Sequence, residues 1–205
     1  MQYLELKAQL KDFLVFSIKD IEKVDLSFHK QRLSEWQRKG YVKKIRQGFY
    51  IFSDFEINEQ ALFTIANRIH NPSYVSLEMA LSLYGLIPEA VYGITSVTSQ
   101  KTKTLKTPVG EFIYRHARPE LLFGYELREH DGHRYQIAEI EKAVLDYLYF
   151  NSKIKDEESF KGVRFNVVVF KERVNIGKFN KYLEAFNNKA LARRAKKLLI
   201  YIEYA

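Results

Sequence analysis

Lys30, Gln31, Ser34 and Arg38 fall within nine consecutive positions, at intervals that place them on the outward side and flank of a helix. They are groups suited to reading and holding a nucleic-acid duplex. A glutamine amide matches adenine, a guanidinium matches the two acceptors of guanine, and serine and lysine reach phosphate oxygens. Lys43, Lys44 and Arg46 follow, a second cationic group beside Gly48. Glu35 shares the outward side and opposes a polyanion, although a carboxylate can accept from cytosine.

Other chemistry is poorly served. The chain has no cysteine, which removes disulfides, thiolate zinc sites and thiol nucleophiles. His116, His130 and His133 are the obvious nitrogen ligands, but Asp131-Gly132 between the last two is explained by a hairpin turn, and no fourth ligand is evident. Glu141 and Asp146 stand five apart on a helical stretch, which does not bring both onto one face, and Glu141 and Lys142 are expected to form local ion pairs. There is no phosphate-cradling glycine loop and no nucleophile elbow. The expectation is a chain that is not an enzyme and requires neither metal nor cofactor.

The elements that must position the first group are legible. Ser17 with Asp20 three residues on makes a carboxylate capping box, starting a helix with Ile18 and Ile21 inward. Asp25 or Ser27 is placed to cap a second helix running to about Lys39, where Gly40 stops it. At 100° per residue, Leu26, His29, Leu33, Trp36 and Gly40 turn inward, with His29 a core histidine, while Phe28 faces partly outward. The pattern then alternates over 41–45 and 49–52, around Arg46-Gln47-Gly48, which predicts a hairpin with a basic tip. Helix, turn, helix and hairpin together predict an N-terminal winged helix-turn-helix. Residues 1–14, with Leu4, Leu6, Leu10, Phe13 and Leu14, are expected to close its core as a further helix. The boundary falls in the polar connector after Ser53, giving domains 1–56 and 57–205.

The second part alternates helix and strand signals. Helices are expected from Asn58 to about His70, from Ser76 (as N-cap) to Gly85, and from Ala138 to Phe150. Strands are expected at 92–99 and 110–117, with a hairpin of 125–130 and 133–137 around Asp131-Gly132, and an apolar turn over 121–124 between them. Lys101, Lys103 and Lys106 read as a solvated Thr-rich loop, with a second basic contact as the alternative. Residues 151–162 read as a loop or short helix, and 165–170 as a strand or a packed helix. Two helices close the chain, at 178–186 and 190–202. The basic side of the last, with Arg193, Arg194, Lys196 and Lys197, is either solvated or anion-binding. The fold class expected is α+β, a mixed α/β C-terminal part with antiparallel hairpins and C-terminal helices following the winged helix.

Bulk composition agrees with a packed protein that meets a polyanion. The 205 residues are 46% hydrophobic with a formal net charge of +8. Between Val24 and Tyr50, seven lysine and arginine residues stand against two carboxylates. No signal-peptide run and no stretch of membrane-spanning length is evident, so a cytoplasmic protein without membrane association is expected.

In this order the pieces resemble the AbiEi family, antitoxins of bacterial type IV toxin–antitoxin systems. RQGFYIF is similar to the family's wing, YVSLEMALSLYGL to its central helix, and IAEIEKAVLDYLY to its acidic–lysine–alanine helix. The resemblance implies an N-terminal domain that binds repeats in its own promoter and represses it. It also implies a C-terminal domain that counters a nucleotidyltransferase-like toxin encoded alongside, without needing a stable complex. Its characteristic positions carry over to Tyr74, Ser76, Ala80, Leu81, Gly85, Glu141, Lys142, Ala143 and Asp146, most of which look structural. Two other readings stand beside it: a winged-helix transcription factor whose C-terminal domain senses a small ligand, and a nucleic-acid enzyme using Glu141, Asp146, His116 and His133.

Overall fold

Ser17 and Asp20 bind each other reciprocally at a helix start: the Ser17 N–H donates to Asp20 Oδ2 at 2.8 Å, and the Asp20 N–H donates to Ser17 Oγ at 3.4 Å. This is one of several local features the sequence anticipates in the computed structural model, which describes residues 1–88 and 92–205. Glu89, Ala90 and Val91, just beyond the stretch quoted for the central helix, lie outside the described residues.

The front of the chain comprises α1 (Tyr3–Gln9), β1 (Phe16–Ser17), α2 (Ile18–Val24), α3 (Gln31–Arg38), β2 (Val42–Arg46) and β3 (Phe49–Phe52). The three strands form an antiparallel sheet in the order β1-β3-β2. The β2–β3 turn depends on Gly48, whose φ of +83° a side chain would resist. Apolar side chains leave this sheet on both faces. Val42, Tyr50 and Phe52 join Leu6, Phe16, Leu33 and Trp36 in a small core, whereas Ile45 and Ile51 are buried in the larger core of the rest of the chain, as are Leu14 and Val15.

Several front-end expectations need correcting. Residues 26–30 are turn and irregular backbone, and α3 begins only at Gln31; Asp25 Oδ1 accepts from the Ser27 N–H and hydroxyl, closing a turn and not capping a helix. The helical phase therefore does not extend back to Leu26, which is 93% exposed, or to His29, which is exposed and not a core histidine. Phe28 is buried, its ring 5.6 Å from that of Trp36. Helix α1 ends at Gln9, so Leu6 and Leu10 pack inward while Leu4 is 74% exposed.

The larger part contains α4 (Glu59–Ile69), β4 (Ser73–Val75), α5 (Leu77–Leu83), β5 (Gly93–Thr98), β6 (Lys103–Thr107), β7 (Gly110–His116), β8 (Tyr125–His130), β9 (His133–Ala138) and α6 (Ile140–Phe150). Helices α7 (Glu157–Val163), α8 (Val167–Arg173), α9 (Ile176–Phe186) and α10 (Lys189–Tyr204) follow. Helices and strands are thus mixed along the chain, in line with an α+β class. The six strands run in the order β6-β7-β5-β4-β9-β8. The antiparallel hairpins β6–β7 and β8–β9 form the two edges, the second as its Asp131-Gly132 turn leads one to expect, but the interior pairs β5–β7 and β4–β9 are parallel.

Two assignments change here and one left open is decided. Ser73–Val75 is a strand at the centre of the sheet; all three residues are buried, so no alternation marks them. Lys103 and Lys106 lie on the edge strand β6 and not in a loop. The valine-rich run after Phe165, open between strand and packed helix in the sequence, is helical, and Asn166 Oδ1 accepts from the Val169 N–H to cap α8. Among the described residues no helix is long and apolar enough to cross a membrane.

Candidate nucleic-acid interface

Leu33 and Trp36 are buried and hold α3 against the small core, which leaves the opposite side of the helix in solvent. Gln31, Ser34 and Arg38, at i, i+3 and i+7, form one exposed stripe. Lys30 stands at the N-cap position of α3 and is exposed, with Nζ 3.5 Å from Glu22 Oε1 on α2. Arg32 turns away to donate to the Met1 carbonyl. The unfavourable carboxylate of Glu35 is met by Lys39, Nζ to Oε1 2.7 Å; that bond holds Glu35 below and Lys39 above their ordinary pKa values. The outward stripe is therefore polar to cationic.

The hairpin divides its cations. Lys43 and Lys44 are both exposed on β2, an edge strand. In register, Lys43 faces Ile51, which belongs to the larger core, and Lys44 faces Tyr50, which belongs to the small core. Opposed residues share a face, so the two lysines straddle the edge. Arg46 is not free at the tip: its guanidinium donates to the Ile69 carbonyl and lies 5.6 Å from the Phe49 ring centroid. The structure thus gathers Lys30, Gln31, Ser34 and Arg38 on α3, leaves Lys43 and Lys44 along one strand edge, and turns Arg46 towards α4.

The histidines considered as metal ligands have separate partners. His130 Nε2 lies 3.3 Å from Asn58 Nδ2, the His133 ring packs on Phe55, and His116 Nδ1 lies 2.9 Å from the Gln100 carbonyl. Among the described residues no group of three potential ligands converges. Glu141 and Asp146 are also apart in function: Glu141 accepts from the Asn175 N–H at 2.8 Å, and the local ion pair expected of Lys142 is made with Asp146.

That pair lies at the centre of a polar cluster which periodicity misses. Lys142 Nζ donates to Asp146 Oδ1 and, at 2.8 Å, to the Tyr74 hydroxyl; Tyr74 donates to Asp146 Oδ2 at 3.0 Å, and Ser76 Oγ donates to the same oxygen at 2.8 Å. Ser76 thus occupies the N-cap position of α5 but spends its hydroxyl on Asp146, not on the helix. The ammonium also sits 4.6 Å and 4.9 Å from the ring centroids of Phe186 and Phe123. Burial lowers the pKa of Lys142 even though Asp146 pulls the other way, and burial beside Asp146 raises that of Tyr74 well above its ordinary value. None of the four residues is more than 1% exposed, so the cluster has no opening for a substrate and acts as a pin between β4 and α6. All four residues are positions carried over from the resemblance, which was the one signal pointing to them.

No protein-family model matches the chain, and no curated protein sequence matches it.

Proposed function

We propose that this chain is a DNA-binding autorepressor and antitoxin of the type IV kind. In this reading residues 1–56 are a winged helix-turn-helix and residues 57–205 carry the antitoxin activity, acting in the bacterial cytoplasm. The observation that carries DNA binding is the exposed stripe Gln31–Ser34–Arg38, with its one carboxylate neutralised, beside a strand edge bearing Lys43 and Lys44. Helix α3 would read the major groove, and the hairpin would follow a phosphate backbone. The antitoxin half rests on the order of the three family-like pieces. The sealed Lys142–Asp146 cluster supports a structural and not a catalytic role for the shared residues.

The test is fluorescence anisotropy on DNA from the chain's own promoter. Arg38→Ala is expected to relax base preference at a cost of about 1–3 kcal/mol, and Lys44→Ala to weaken all sequences alike and flatten the salt dependence. If neither substitution alters binding, α3 and the hairpin are not the interface. Co-expression with a neighbouring nucleotidyltransferase-like gene, scored by growth, tests the antitoxin half.

One observation favours the ligand-sensing alternative for the body. A cleft of about 440 Å³ lies between residues 12–15 and the β8–β9 hairpin, with Phe13, Arg68, Leu127 and Arg134 on its walls. A metabolite that changes promoter affinity would move the reading there.

A further inference from the structure

His70, at the C-terminal end of α4, is more than nine-tenths buried, and its Nε2 is buried without a hydrogen-bond partner. A buried polar nitrogen left unmatched is costly, and such groups are usually satisfied. This one borders an open depression lined by His70, Ser99, Gln100, Lys101, Thr102 and Lys103.

The depression is a built structure. Thr98 Oγ1 donates to the Pro72 carbonyl at 2.6 Å, and Gln100 donates to the Asn71 carbonyl, which tie the 98–103 segment to the chain just after His70. The Tyr114 ring packs on His70 with centroids 4.5 Å apart, and Tyr114 pairs with Lys103 across β6–β7, which brings Lys103 to the imidazole. Arg46 donates to the Ile69 carbonyl, one residue before His70. Lys101 and Lys103 are exposed and form no ion pair with a carboxylate among the described residues. Arg46, His70, Lys101 and Lys103 therefore gather where the hairpin meets the edge strand. Lys43 stands three residues back along β2, roughly 10 Å at ~3.3 Å per residue.

We propose that this depression is a phosphate site for the backbone of a bound duplex, extending the interface from the hairpin edge onto β6 and the Ser99–Lys103 turn. It rests on the DNA-binding reading above. Cation spacing of this kind suits a polyanion whose charges repeat along a strand, and each phosphate neutralised releases counterions.

The test is the slope of log affinity against log salt, measured by anisotropy with the full chain and a fluorescein-labelled duplex of arbitrary sequence. Lys101→Ala and Lys103→Ala are each expected to reduce the slope by about 0.9, as Lys44→Ala does. Both lysines are exposed, so the variants should fold. Independently, the His70 ring nitrogen resonances should move when duplex is added to wild type and stay put in Lys101→Ala/Lys103→Ala. A slope that responds to Lys44→Ala but to neither β6 variant overturns the inference and leaves the DNA reading standing. Ring resonances that move with millimolar inorganic phosphate but not with duplex assign the site to free phosphate and likewise overturn it. Wild type that binds no duplex removes both.

Discussion

Arg68 Nη2 lies 2.7 Å from Asp20 Oδ2, joining α4 of the body to the first turn of α2 at the front. The same carboxylate oxygen accepts from the Ser17 N–H and hydroxyl, so one buried group both caps a helix and anchors it to the neighbouring layer. Burial alone would raise the Asp20 pKa, but the two Ser17 bonds and Arg68 outweigh it and hold the carboxyl below its usual 3.8.

Asp20→Ala should cost about 2–3 kcal/mol by urea unfolding, since it removes a cap and strands Arg68. Arg68→Ala should cost only about 1 kcal/mol, because the guanidinium is partly exposed and Ser17 remains. The folded-state pKa is depressed, so this stabilisation is fully present above about pH 3.8 and is lost as pH falls through the lower folded value. Equal losses for the two variants would show that Asp20 acts through Arg68 alone.

Lys142 and Asp146 should behave as a unit. Lys142→Met leaves a buried carboxylate without its cation and is expected to cost about 3–5 kcal/mol, and Asp146→Leu a similar amount. The double variant should lose clearly less than the sum of the two, with a coupling that thermal or urea unfolding can measure. Additive losses would mean that the ammonium and carboxylate do not sense each other.

Much of the front was legible because local chemistry fixes it. The Ser17/Asp20 box, the stop at Gly40 and the hairpin around Gly48 each need only neighbouring residues, as does the Asp131-Gly132 turn between β8 and β9. What failed was information that lives between elements. The inward placement of Leu26 and His29 extended a helical phase through residues 26–30, which are not helical. Strand β4 is three buried residues long, with no alternation to display, and its neighbours in the sheet come from β5 and β9. The charged side of α6 reads as local ion pairs only, and it takes the tertiary fold to bring Tyr74 of β4 and the adjoining Ser76 onto Asp146. Arg46 looked like a free tip cation because nothing local reveals the Ile69 carbonyl that accepts from it.

Glu22 restrains Lys30 at the edge of the α3 stripe, 3.5 Å away and with both side chains well exposed. Glu22→Gln should therefore change stability by less than about 0.5 kcal/mol while tightening duplex binding and steepening its salt dependence. Anisotropy at two salt concentrations checks this. Unchanged affinity would place Lys30 outside the interface.

Burial lowers the His70 pKa from 6.5; the nearby Lys101 backbone acts the other way, and Arg46 and Lys103 lower it further. The unfolded chain therefore binds the extra proton first on acidification. The neutral ring is matched to the fold above about pH 6.5, and stability should fall as pH drops from there towards the depressed folded value. His70→Gln should flatten that part of the curve in urea titrations run in a phosphate-free buffer. A wild-type profile identical to the variant's would show that the ring titrates as it does in the unfolded chain.

The two-sided burial of the small sheet limits how this molecule can be dissected. Severed after Glu56, the front segment would wet Ile45, Ile51, Leu14 and Val15 together, and the remainder would lose the lid over its own interior. Either half is expected to be sticky in solution. Silence from an excised piece would report on that stickiness, and genetic separation of repression from rescue is better sought with single side-chain changes in the intact polypeptide.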